Sequence, residues 1–347
     1  MAINIPALRK RSTGLPRSRH RSDLTPTAEP FVPTLPESPF AAAAPIFGLL
    51  AAFWTAQACG ASFPLPPLDV DLVGQTSVVT ARHEDTLLDI ARRFDIGQDE
   101  IVLANAEVDR WLPGEGTEVL IPSRYILPAA KRSGIVLNVP EMRVYYYPPP
   151  KAGSPARVET YPVSIGRMNW TTPLGTTKVV AKTRDPAWRP PASIRAEAAE
   201  KGTPLPEYVP PGPDNPLGRY AIRLGIPGYL IHSTNKPFGV GMRVSHGCVR
   251  MYPEDIEELF PEVPVGTPVQ IVDQPVKIGW LFDTLYIEIH PLLEEERETS
   301  APLLEFAMDL INAEWEKRRF ILDGQALKAA LQKIDGIPRP IAKARNN

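Results

Sequence analysis

"GIVLNVPEMRVYYYP", residues 134–148, holds two short runs of aliphatic and aromatic residues separated by a proline and an acid. Runs of this kind, bounded by turn formers, read as strands. The signature recurs in "RVETYPVSIG" (157–166), "TTKVVAKT" (176–183), "RYAIRLGI" (219–226), "YLIHS" (229–233) and "TPVQIVD" (267–273). Seven such strands between 133 and 274 predict a mainly β chain built round a β-sandwich or barrel. Residues 186–216 interrupt the series with nine prolines in 31 positions. Within them "SIRAEAAEK" reads as a short helix capped by Ser193, and the prolines and Trp188 predict an ordered rim or lid.

The rest of the chain frames this domain. A length of 347 residues allows two domains and a smaller third element. The formal net charge of −2 argues against nucleic acid as the main partner, because backbone binding needs a concentrated positive field. Residues 1–59 read as an export leader: Arg9, Lys10, Arg11, Arg17, Arg19 and Arg21 precede an apolar run that ends in Ala56-Gln57-Ala58. Cys59 follows directly and is a candidate for lipidation, a cleaved leader being the other option. Beyond it the body keeps one cysteine, Cys248, so no disulfide forms within it.

Residues 60–75 read as a linker. In 76–123, Val78 and Val79 open a strand. Leu87, Leu88, Ile90, Ala91 and Phe94 recur at helical spacing behind Asp85 as N-cap, and Gly97 ends that helix. A second short helix (Ile101, Val102, Ala104) and the strand "TEVLIP" complete a βααβ unit. It resembles a LysM domain, a peptidoglycan-binding module, at Asp85-Thr86-Leu87, Ile90-Ala91, Asn105, Leu112, Gly114 and Ile121-Pro122. Glu84 departs from the usual glycine. Residues 275–347 add a strand, "LYIEIH", and an amphipathic helix with Leu303, Phe306, Leu310, Ile311 and Trp315 on the face expected to cover the barrel or a partner. A weaker helix over 325–333 and a basic tail follow, and His290 reads as structural.

Chemistry concentrates in "GYLIHSTNKPFGVGMRVSHGCVRMYPEDIEELF", 228–260. His232 ends an apolar strand, and thirteen residues separate it from His246, next to Gly247 and Cys248. A nucleophilic reading uses each part. A free thiol is only a few per cent ionised at neutral pH, and a nearby imidazole can take its proton to give a thiolate–imidazolium pair. Arg250, Arg243 and the helix opening at Pro253, with Glu254 and Asp255 in its first turn, would lower the thiol pKa further. Gly247 lacks a Cβ, so the amides of 247 and 248 can approach a carbonyl oxygen. His232 is the better base, with Ser233 orienting it through its backbone carbonyl. No carboxylate stands beside either histidine in sequence. Two rivals compete: a zinc site from H-x13-H-x-C, which has no second cysteine, CxxC or H-E-x-x-H to support it, and an inert buried thiol, for which the surroundings are too polar.

His232-Ser233 followed by Ser245-His246-Gly247-Cys248 and Val249-Arg250-Met251 closely resembles the active site of the L,D-transpeptidases, the YkuD-domain family. The stretch is especially similar to the Gram-negative ErfK/YbiS/YcfS/YnhG-type branch. The likeness runs over 134–275 and includes "DPAWRPPASIRAE" and "GPDNPLGRYAIRL". Ser233 replaces the glycine common in that branch, and Arg250 replaces the asparagine of others.

The resemblance implies a periplasmic enzyme with a YkuD-like catalytic domain that needs no metal or cofactor. Cys248 would attack the diaminopimelate carbonyl of a peptidoglycan stem tetrapeptide, expel D-alanine and pass the acyl group to an amine. Another stem's diaminopimelate, an outer-membrane lipoprotein's lysine or a free D-amino acid would accept it, and water would make the enzyme an L,D-carboxypeptidase. His232 would act as base, with His246, Gly247 and the Cys248 amide shaping the oxyanion site. Arg250, Ser245, Tyr229, Arg243 and Lys236 are candidates for substrate contact. An amidase cutting lipoprotein–peptidoglycan links and a non-catalytic wall-binding protein are the alternatives.

Overall fold

The computed structural model describes residues 60–345 except 152, 169, 299 and 300; the expected leader and Cys59 lie outside them. The stretch expected as a linker carries two strands, β1 (Ala61–Pro64) and β2 (Leu72–Gly74). The βααβ unit follows as β3 (Ser77–Thr80), α1 (Leu87–Arg93), α2 (Gln98–Ala104) and β4 (Glu118–Ile121), with β3 antiparallel to β4. Leu87, Ile90, Ala91, Ile101, Val119 and Ile121 form its own core. Its helix caps differ from expectation by a step. Thr86 caps α1, its hydroxyl accepting from the Asp89 amide (3.1 Å) while the Asp89 carboxylate accepts from the Thr86 amide (3.0 Å). Asp85 is committed instead to the Arg82 amide and to Arg93. Gly97 starts α2 rather than ending α1, which stops at Arg93 with Phe94 as its cap.

After β5 (Arg124–Ile126), which pairs β2, the chain enters the barrel. Its strands are β6 (Gly134–Asn138), β7 (Arg143–Tyr147), β8 (Arg157–Gly166), β9 (Gly175–Arg184), β10 (Tyr220–Leu224), β11 (Leu230–His232), β12 (Arg243–Ser245), β13 (Val249–Met251) and β14 (Pro268–Val272). Helix α3 (Ala192–Glu200) lies between β9 and β10, and α4 (Pro253–Glu262) follows β13. The order β8-β13-β11-β10-β9-β14-β6-β7 closes on itself through the β7–β8 pairing, with β1 and β12 as further partners of β8. Pairing is antiparallel except at β11–β13, β14–β6 and β12–β8. Every residue of β6 and β7 is buried, because both faces are covered. Ile135, Leu137, Val144 and Tyr146 face the barrel interior, and Val136, Tyr145 and Tyr147 pack against Val73, Tyr125 and Leu127 outside it.

Helix α4 begins with Pro253 at its first position and sends Ile256 and Leu259 into the barrel core. Beyond it a separate sheet forms from β15 (Val276–Leu281), β16 (Thr284–Ile289), β17 (Phe320–Leu322) and β18 (Arg339–Ala344) in the order β15-β16-β18-β17. Helices α5 (Leu303–Lys317) and α6 (Gly324–Gln332) cover this sheet. Helix α5 was expected to cover the barrel or a partner; its apolar face instead joins Val276, Trp280, Leu285 and Ile287. The tail is a strand, because β16 and β17 pair with β18 on either side. Where this sheet meets the barrel, Lys277 Nζ lies 2.8 Å from Glu141, 2.7 Å from Glu288 and 2.7 Å from the Ile126 carbonyl, all buried. His290 completes that structural cluster through Glu288 (2.7 Å). Among the described residues no helix is long and apolar enough to cross a membrane.

Candidate active site

Side chains alternate across a sheet, so β10, β11 and β13 each present two different sets. Ile222, Ile231, Val249 and Met251 enter the barrel core. Their neighbours Ala221, Arg223, Leu230, His232, Cys248 and Arg250 form the floor of a cavity of about 990 Å³. Register fixes the layout: Thr183, Ala221, His232 and Arg250 form one transverse row. The proline-dense segment forms the wall, with Pro186, Trp188, Ile194 and Leu205 facing the cavity. It is held by backbone pairing of Trp188 with Val209 and by the Asn215 amide, which donates to the Pro186 carbonyl (2.8 Å). Helix α3 starts after Pro191, so Ser193 lies inside it and caps nothing.

His232 is buried, and its Nδ1 donates to the Ser233 carbonyl at 2.5 Å, leaving the lone pair on Nε2. Burial, and next the charge of Arg250, push the imidazole pKa down to about 4 against the pull of the Ser233 and Leu217 carbonyls. The half-buried Cys248 thiol approaches the Gly228 carbonyl at 3.5 Å. Its pKa is raised by burial, although the Leu230 backbone and Arg250 act the other way. Both shifts favour the neutral thiol and the neutral imidazole over the expected thiolate–imidazolium pair. Arg250 does favour the thiolate, but desolvation outweighs it.

The turn at 245–248 is fastened from inside. Gly247 has φ +96°, and a Cβ there would come within 2.9 Å of the Tyr229 ring. Its amide donates to Ser245 Oγ (3.1 Å), whose hydroxyl donates to the Cys248 carbonyl (2.5 Å). Thr172 Oγ1 donates to the Gly247 carbonyl (3.0 Å). The Gly247 amide is thus spent and cannot serve the oxyanion role expected of it; of that pair, the Cys248 amide remains. Ser245, expected at the substrate, is fully buried and braces this turn instead.

His246 finds the carboxylate that its sequence neighbours lack. Its Nε2 lies 3.1 Å from Glu197 Oε2 on α3 and 3.1 Å from Arg167, and its ring meets the Trp170 edge at 5.1 Å. Glu197 also pairs with Arg167 and Lys201, and these contacts hold its pKa at about 2. Burial lowers the His246 pKa, with Glu197 opposing. No local spacing linked Glu197 or Arg167 to His246, because 49 and 79 residues separate them from it.

Residues 132–271 match the family described as "L,D-transpeptidase catalytic domain" (YkuD). The chain is 40% identical over 307 residues to "Probable L,D-transpeptidase ErfK/SrfK" of Escherichia coli K12, covering 85% of this chain and 95% of that protein. The chain belongs to the L,D-transpeptidase family. "Probable L,D-transpeptidase YbiS" of the same organism is 44% identical over 264 residues, 75% of this chain and 83% of that one. Among solved structures, L,D-transpeptidase 3 from Mycobacterium tuberculosis with a faropenem-derived adduct aligns over 47% of this chain and 66% of its own, at 20% identity and TM-score 0.30.

In this L,D-transpeptidase-family chain the remaining candidates divide. Arg250 lines the floor, and its buried Nε has no partner. Tyr229 stands at the rim with its hydroxyl 3.4 Å from the Thr171 carbonyl. Arg243 points away from the cavity, bound through both terminal nitrogens to Glu295 (2.7 Å each), so it neither contacts the site nor lowers the thiol pKa. Lys236 is exposed on the loop after β11 and takes no part in the cavity wall.

Proposed function

We propose that this chain is a peptidoglycan L,D-transpeptidase with Cys248 as nucleophile. The observation that carries the reading is that Cys248 and a buried His232, whose Nδ1 is bound to the Ser233 carbonyl, line the same cavity. As Sγ attacks the diaminopimelate carbonyl of a stem tetrapeptide, Nε2 takes the thiol proton, and the Cys248 amide donates to the forming oxyanion. Burial and Arg250 destabilise the imidazolium, so it readily gives its proton to the departing D-alanine amine. A thioacyl enzyme results. An incoming amine then attacks it, His232 again taking the proton, and the thiol is released. Arg250 binds a substrate carboxylate.

The amine is a second stem's diaminopimelate or a lipoprotein lysine. We read 76–123 as a LysM-like wall-binding domain, 133–274 as the catalytic domain and 275–347 as an extension, the whole acting in the periplasm. The test incubates the purified protein with tetrapeptide muropeptides and follows D-alanine release and product mass. Dimers formed by wild type, absent with Cys248→Ala and unaffected by chelator, are expected. Monomeric tripeptide alone would make it a carboxypeptidase, cleavage of lipoprotein-linked muropeptides an amidase, and binding without turnover a wall-binding protein.

A further inference from the structure

The cavity over Cys248 is lined by three arginines, Arg189, Arg223 and Arg250, and by no aspartate or glutamate, in a chain of net charge −2. That is a segregated positive field, suited to an anionic ligand with more than one charge. The three arginines are not equivalent. Arg189 stacks on the Tyr208 ring at 4.9 Å. Arg250 and Arg223 form no ion pair with any carboxylate among the described residues, whereas nearby Arg219 pairs with Asp185 and Glu257.

Strand register places the two free guanidiniums around the thiol. Arg223 is paired with Leu230, and Leu230 precedes Ile231, which is paired with Val249 just after Cys248. Arg223, Leu230 and Cys248 therefore form a second transverse row on the cavity face. Two interstrand steps put the Arg223 Cα about 10 Å from that of Cys248. Arg250 stands two residues along β13, about 7 Å from Cys248 in another direction. An acyl group on Sγ would thus have one cation along the strand and another across the sheet, both lining the cavity it occupies.

We propose that Arg223 determines specificity by holding a second carboxylate of the acyl donor, Arg250 holding the first, so that the cavity selects dianionic peptides. This rests on the acyl-donor reading above. The stem tetrapeptide suits the arrangement, since its glutamyl residue and its diaminopimelate side chain each carry a carboxylate outside the scissile bond. Substrate bound to both guanidiniums gains charge-assisted, bidentate contacts that an amide cannot reproduce.

The experiment compares three synthetic tetrapeptides: the free diacid, the glutamyl α-amide and the diaminopimelate side-chain amide. For each, D-alanine release gives kcat and KM with wild type, Arg223→Ala, Arg223→Lys and, as a control outside the cavity, Arg219→Ala. With wild type, each of the two amides should lose about 10-fold in kcat/KM, chiefly through KM. Arg223→Ala should lose the same with the diacid and no longer distinguish it from one of those amides. Arg223→Lys should regain part, and Arg219→Ala should match wild type. Which amide loses its advantage identifies the carboxylate. Wild type indifferent to both amides, or Arg223→Ala as discriminating as wild type, would overturn the proposal. If wild type releases no D-alanine at all, the catalytic reading fails. Titration calorimetry of the same peptides on Cys248→Ala, with and without Arg223→Ala, still decides whether Arg223 reads a carboxylate.

Discussion

His232 and Arg250 stand side by side on the parallel strands β11 and β13, an imidazole and a guanidinium on one sheet face. The cation pushes the imidazole pKa down and favours ionisation of the neighbouring thiol, so one charge acts on both partners of the proposed proton transfer.

The first prediction concerns pH. If His232 is the base, the acid limb of kcat/KM lies near pH 4, well below the ordinary histidine value. Arg250→Gln removes a cation and should move that limb upward, while raising the thiol pKa and slowing iodoacetamide alkylation at pH 8. The stability sign follows from the depressed pKa: below pH 6.5 the unfolded chain binds a proton that folded His232 refuses. Stability falls from there toward pH 4. His232→Gln should flatten that part of the melting-temperature profile.

Ser245→Ala should damage the site without touching substrate. It strips the buried Gly247 amide of its acceptor and the Cys248 carbonyl of its donor. A loss of about 1–3 kcal/mol in unfolding free energy is expected from chemical denaturation. Turnover should fall through kcat, with KM little changed.

Glu197→Gln weakens the contact between α3 and the His246–Arg167 pair. Hydrogen exchange over residues 186–201 should quicken, whereas the barrel strands keep their protection. Activity should drop most at high salt, where the surviving polar contacts are screened.

A fourth prediction lies behind the site, where Asp95 of the βααβ unit meets Asp255 of α4. Both are buried. Desolvation and mutual repulsion raise Asp255 well above the carboxylate range, and burial pushes Asp95 up to about 7. Raised carboxyl pKa values favour folding below the unfolded value near 4, and that advantage is lost as pH climbs through about 7. Asp255→Asn should therefore raise the melting temperature at pH 8 relative to wild type and gain little at pH 5.

Strand identity was legible because each stretch carried its own turn signals, and "GIVLNVPEMRVYYYP" lost its alternation only because both its faces are packed. The placement of Cys248, His232 and Arg250 on one face follows from period-two geometry once β11 and β13 pair. What the sequence could not disclose were choices made by distant partners. Ser245 turns inward because Gly247 needs an acceptor; Arg243 turns outward because Glu295 is there. Glu197 reaches His246 from the short helix of the expected rim, across a separation that no local spacing reveals. "RPIAKA" becomes a strand only because two neighbours bind its edges, a case of tertiary pairing overriding weak propensity.

The alternation that divides β10 and β11 between core and cavity separates two design problems within one stretch of chain. Ile222 and Ile231 answer to folding, whereas Ala221, Arg223 and Leu230 answer to what occupies the cavity. A combinatorial library confined to the second set would sample new donor preferences on an unaltered scaffold. On the proposed reading, selectivity would change by single codons while the barrel that carries it stays fixed.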